Sequence, residues 1–305
     1  MRYINFFKII FISLLFLSYL YSQDAGFLNN SRIYNGARLS SLAGSFIADD
    51  YETGIMYFNP AGLTYLKNYM ISINHFQESS INAYGEGIML PLYIGSGEGI
   101  AFSLNTLNTG YFKKNNTPQL KFIQFAYNVA YSKEILNNLS LGGIFGLQYT
   151  KSNYNNLWTY RTSIGFYYVP TEEISYSILV GEIGTGIKYS LSDTETILRS
   201  VNLPNGLQVG ITMRHPINLI ESLFSISLSS EKVFGEAGAR YKTGFEIYPI
   251  RFISMRAGYF VSNTLKYATF GVGIKVLNFV LDAAYYPNKI SNKEMYLTLS
   301  YRFSK

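Results

Sequence analysis

Few residues in this chain can do chemistry by type, and fewer are spaced to do it. There are two histidines, His75 and His215, and no cysteine. A histidine works as a general base only when another group orients it beside a nucleophile. These two fall on separate predicted strands, and although serines abound, none is set beside them by spacing. Absent cysteine removes thiolate nucleophiles, thiolate metal ligands and disulfides. No His/Asp/Glu group has metal-ligand spacing. The run GEIGTGIK at 181–188 has the glycines of a phosphate loop. Its last Gly and Lys are separated by Ile187 and no helix pattern follows, so it reads as a glycine-containing strand. Asp49-Asp50 reads as a turn or helix cap rather than a calcium site. The sequence therefore offers no catalytic residue, no metal site and no cofactor site, and the chain is not read as an enzyme. What remains is lone charge: Arg256 and Arg302 sit in the polar set of their strands and are expected to pair with acids of the segment before the first strand.

The elements that position these residues are strands. In the closing segment Met295, Leu297, Leu299, Tyr301 and Phe303 alternate with Tyr296, Thr298, Ser300 and Arg302. A period of 2 puts the two sets on opposite faces of a strand. The bulky set is apolar or aromatic; the other is mostly hydroxyl, amide, glycine and an occasional charge. Ile123 to Tyr131, Leu139 to Thr150, Leu207 to Arg214 and Phe224 to Ser229 repeat the pattern. An apolar outside with a polar inside is the signature of a transmembrane antiparallel β-barrel. About fourteen strands are predicted between residue 67 and the end, the seventh near 179–190. The gaps 169–178 and 191–205 are expected to be outer loops. Asn137-Asn138 and Asn205-Gly206 mark turns. Pro91 lies inside the apolar run 89–94, where a missing ladder donor predicts a bulge or kink in the wall.

Composition agrees with a membrane wall. Only 14% of the 305 residues are charged and 17% are aromatic, including 28 tyrosines, against about a quarter charged in soluble domains. A Lys or Arg on the lipid face near mid-bilayer costs roughly 2–4 kcal/mol, and the outward sets quoted above contain none. Residues 1–22 read as a signal peptide: Arg2 and Lys8, then an apolar stretch to Leu20, then Ser22. Export across the inner membrane to a bacterial outer membrane follows as the expected location. After cleavage the chain carries 23 basic and 19 acidic residues, and no basic run points to nucleic acid. No later segment has 18 consecutive apolar residues, so no spanning helix is expected. A closed sheet is the remaining way to satisfy backbone hydrogen bonds in lipid.

Residues 23–66 lose the alternation. They carry Gly36-Ala37-Arg38, then Gly44-Ser45-Phe46-Ile47-Ala48-Asp49-Asp50, then Asn59-Pro60-Ala61-Gly62-Leu63. Gly62 is read as permitting a left-handed bend. This order resembles the start of the PorV/PorQ family, within the superfamily of FadL-type long-chain fatty-acid transporters. Glu246 to Pro249, Ser254 to Tyr259 with its Arg-Ala-Gly-Tyr, Phe270 to Gly273 and Tyr301-Arg302-Phe303 continue the likeness. The resemblance implies a fourteen-stranded outer-membrane barrel, residues 67–305, with residues 23–66 as a plug or hatch and Asn59, Pro60 and Ala61 at the plug's Asn-Pro-Ala positions. It implies passive uptake of a small hydrophobic solute, or alternatively an accessory role in type IX secretion with secretion-system proteins as partners. Phe46, Tyr57 and Phe58 are candidates to line a ligand path, and the surrounding outer-membrane lipid is the remaining partner. The short predicted loops favour uptake.

Overall fold

The computed structural model describes residues 36–45, 54–66, 68–79, 82–109, 122–152, 156–185, 187–189, 199–201, 205–217, 222–235, 237–287 and 294–303. The signal-peptide reading, Phe46 and Asp49-Asp50 lie outside them. Among the described residues sixteen strands follow two short helices, α1 (Ala37–Ser41) and α2 (Ile55–Phe58), and a 3-10 turn (Pro60–Tyr65). The strands are β1 (Met70–Glu78), β2 (Ala83–Gly95), β3 (Glu98–Asn108), β4 (Phe122–Leu136), β5 (Leu139–Ser152), β6 (Asn156–Thr171), β7 (Ile174–Gly184), β8 (Ile187–Tyr189), β9 (Arg199–Val201), β10 (Gly206–Ile217), β11 (Ser222–Val233), β12 (Arg240–Ile250), β13 (Ile253–Val261), β14 (Lys266–Val276), β15 (Phe279–Tyr286) and β16 (Glu294–Arg302).

Fourteen of them form one closed antiparallel barrel, each paired with its chain neighbour except that β7 pairs directly with β10. The ring closes between first and last strands, from Met70 against Arg302 to Glu78 against Glu294. Closure leaves no free edge, the condition a sheet must meet in lipid. β8 and β9 pair only with each other, in the connection between β7 and β10.

The alternation resolves into two faces. Leu297 is 40% exposed on the outside, while its neighbour Thr298 is fully buried within. An outward-facing ion pair, Glu98 with Lys133 at 2.8 Å, sits near the ends of β3 and β4, and His75 Nδ1 lies 2.7 Å from Glu86 Oε1 across β1 and β2. Connections at one end are tight, as at 96–97, 137–138, 172–173, 251–252 and 277–278; those at the other run to 109–121 and 185–205. Asn138 has φ 64, the left-handed turn geometry that asparagine tolerates. In barrels of this class short turns face the periplasm and longer loops the exterior.

Three local expectations need correction. The stretch 169–178 is not an outer loop. β6 continues to Thr171, turns at Glu172-Glu173 at the short-turn end, and enters β7 at Ile174, which moves the seventh strand back from 179–190. Pro170 falls within a register shift between Tyr168 and Thr171 but does not end the strand, and the cross-strand ring pair Tyr168–Tyr176, 6.4 Å apart, belongs to the same hairpin. Pro91 pairs with Ala101 in regular register, and the register shift falls at Tyr93–Gly95 instead. The β1–β2 ladder stops at Ser72–Met89, so a proline two residues later has no neighbour on that side to disappoint. Gly62 is absent from the positive-φ glycines; it continues the 3-10 turn.

Candidate functional site

Two pieces of the chain before β1 pack against the inward face of the barrel, on different arcs. The first is α1. Five residues are too few for a helix to hold itself together, and the wall supplies what it lacks. The Ala37 N–H donates to Thr298 Oγ1 at 2.7 Å, and Thr269 Oγ1 donates to the Ser41 carbonyl at 2.7 Å. Both ends of the helix are thus closed by barrel threonines. Gly258 on β13 lets the backbone come close: a Cβ there would stand 2.5 Å from the Ala43 nitrogen.

One charge network fixes the same piece. Arg38 donates from Nε to Glu246 Oε1 at 2.9 Å and from Nη2 to Oε2 at 2.5 Å. Arg256 reaches the same Glu246 Oε1 from Nε at 2.5 Å and Asp282 Oδ1 from Nη1 at 2.6 Å, while its Nη2 donates to Ser254 at 2.7 Å. Every member is almost wholly buried. In such surroundings fork-shaped guanidinium–carboxylate pairs are the geometry that offsets desolvation.

The second piece is α2 with the 3-10 turn. Asn59 caps the turn, its Oδ1 accepting from the Ala61 N–H at 3.1 Å, and its Nδ2 donates to the Phe166 carbonyl of β6 at 2.9 Å. Thr64 meets Ser140 of β5 at 2.8 Å. Pro60 occupies the first position of the turn, where its missing N–H is not needed. On β5, Gly142 makes room: a Cβ would lie 2.6 Å from the Pro60 carbonyl carbon. From α2 the Tyr57 hydroxyl bonds Ser103 and Asn105, and Arg161 lies 5.9 Å over its ring. Burial raises the Tyr57 pKa, so the phenol keeps its proton.

Several expected site residues therefore come together. Tyr57, Phe58, Asn59, Pro60, Ala61 and Gly62 are buried in one contiguous stretch against β3–β6. Tyr57 and Phe58 are packed, each 8% exposed, so they can line a path only after this stretch moves. Pro91 is not among the residues it touches through the interactions above. Arg256 faces inward, but its acids, Glu246 and Asp282, belong to the wall; the N-terminal segment contributes a cation, Arg38, rather than the expected acid. Arg302 also faces inward, at the short-turn end. Among the described residues no group of three His, Asp or Glu side chains gathers to hold a metal.

One inward feature escaped the sequence reading. Near the long-loop end five rings on adjacent strands touch in series: Phe76 to Tyr296 at 4.9 Å, Tyr296 to Tyr286 at 5.6 Å, Tyr286 to Tyr267 at 5.4 Å and Tyr267 to Phe260 at 4.7 Å. They occupy the polar register of β1, β16, β15, β14 and β13. The available signal was an aromatic residue in the otherwise hydroxyl-rich set of several successive strands, as Tyr296 beside Thr298 and Ser300.

No family model and no curated protein matches the chain. Solved structures do. The toluene transporter TbuX of Ralstonia pickettii superposes with a TM-score of 0.64 at 11% identity, covering 89% of this chain and 99% of that one. The monoaromatic hydrocarbon channel CymD gives 0.64 at 12%, covering 92% and 99%. A FadL homologue of Pseudomonas aeruginosa gives 0.58 at 10%, covering 89% and 98%. The chain has the fold of these bacterial outer-membrane barrels.

Proposed function

We propose that this protein is an outer-membrane channel for passive uptake of small hydrophobic solutes, with residues 23–66 as its plug. The series of five rings inside the barrel carries the reading. Contiguous aromatic surface in a lumen holds an apolar or aromatic solute by apolar contact and ring stacking. The wall removes such a solute from the polar outer surface, the rings receive it, and the plug must shift before it passes. The fold shared with toluene and monoaromatic channels supports the same direction. The test uses cells expressing the full chain and radiolabelled toluene and oleate as probes. Uptake should exceed that of an empty vector and fall when Phe76 and Tyr286 are both replaced by Ala in a barrel that still assembles. Equal uptake with and without the protein, for both probes, would refute it.

The Asn59-Pro60-Ala61-Gly62-Leu63 motif keeps the PorV/PorQ likeness, and with it a second reading as an accessory barrel of type IX secretion. That reading requires exported proteins with conserved C-terminal sorting domains in the same genome, and their absence removes it.

A further inference from the structure

The short-turn end of the lumen holds a cavity of about 210 Å³ whose charge is one-sided. Arg38, Arg214, Arg251, Arg256, Lys275 and Arg302 line it, against two lining carboxylates, Glu246 and Asp282. Both carboxylates are already engaged by Arg38 and Arg256. Among the described residues Lys275 and Arg302 have no acidic partner, and the Arg302 Nε is buried without a hydrogen-bond acceptor. Cations that face one another across a partly enclosed space repel, and low-dielectric walls strengthen that repulsion. The arrangement is relieved by an anion, and its shape selects which one. Several guanidinium forks converging on one small volume suit an oxyanion with more than one charge and three or more acceptor oxygens. A single carboxylate would answer only one of the two cations, Lys275 and Arg302, that have no acid among the described residues.

We propose that this vestibule is a binding site for a phosphate group. Phe252 and Ile274 form part of its lining and are also exposed to the outside, 54% and 45%. Two sources share that chemistry: the headgroup of a phospholipid in the periplasmic leaflet, its chains against Phe252 and Ile274, or a free phosphate from the periplasm. Because Arg38 belongs to the N-terminal segment and Lys275 and Arg302 to the wall, the bound phosphate bridges the two. The site stands whether or not the barrel takes up hydrocarbons.

The test takes the purified full-length barrel in detergent, with inorganic phosphate as one probe and vesicle-derived phosphatidylglycerol as the other. Calorimetry reads phosphate binding, and native mass spectrometry reads lipid retained through detergent exchange. The comparison variant is K275Q/R302Q, with K275Q/R251Q as the substitute should the first fail to assemble. Phosphate binding weakened at least tenfold in the variant assigns the site to the free ion. Lipid retained by the wild type and lost by the variant assigns it to the headgroup. Neither probe bound, or both bound equally by wild type and variant, overturns the proposal.

Discussion

Glu246 is the joint between the N-terminal segment and the wall, and its removal can be worked through. Glu246→Gln deletes the buried carboxylate shared by Arg38 and Arg256 and leaves Arg256 with Asp282 as its acid. Breaking a buried pair by neutralising one partner costs roughly 3–5 kcal/mol. Arg38→Gln is milder, because Glu246 keeps its bond to Arg256; loss of a charged hydrogen-bonding group puts it near 1.5–3 kcal/mol, roughly. The double variant leaves Arg256 paired with Asp282 and Ser254, with no stranded charge at position 38. Its cost should be smaller than the sum of the single costs, with a coupling of about 0.5–3 kcal/mol. Trp158, the single tryptophan, is 60% exposed on the outer face of β6 and reports the lipid environment of the wall. Urea unfolding in lipid vesicles followed at Trp158 gives the three free energies. Single effects that add to within about 0.5 kcal/mol would refute this joint, since independent sites add.

Three further outcomes follow from the same geometry. Gly142→Leu should push the 3-10 turn off β5 at a cost of about 1–3 kcal/mol from overpacking, and planar-bilayer conductance should rise; unchanged conductance would mean the turn does not block the lumen. Leu297→Arg, in the middle of β16 on the outer face, should cost roughly 2–4 kcal/mol in bilayers, whereas a stable, detergent-free soluble variant would contradict a membrane-facing wall. Pro91→Val should change stability by less than about 0.5 kcal/mol and leave toluene uptake as it was, because the ladder beside it has already ended; altered uptake would restore Pro91 as a kink that matters to the wall.

How much could be read in advance differs between wall and lumen. The wall strands were legible because side-chain alternation is a local property: Leu297 and Thr298 need only each other to declare two faces. Misreadings came where a local signal had two meanings. Pro170 and Pro91 looked like breaks, yet Pro170 costs only a register shift close to the hairpin turn and Pro91 lies beside a finished ladder, so neither ends its strand. Gly62 looked like a left-handed bend, but Pro60 and the Asn59 cap had already committed that stretch to a 3-10 turn. The chemistry of the lumen was less legible. The arginines were recognisably inward, but the acids of Arg256 lie on the wall and not in the N-terminal segment, since an acid in that segment and one on β12 look alike from spacing alone.

By itself the amino-acid order determined the antiparallel wall, its two faces and its hairpin succession, all consequences of a two-residue repeat and nearby turn residues. Tertiary structure alone decided that Arg38 meets Glu246 across 208 positions of chain, that five rings from separate strands join in one series, and that six cations share one cavity. Closing a ring brings residues together by angle around an axis and height along it, and neither coordinate is written in sequence separation.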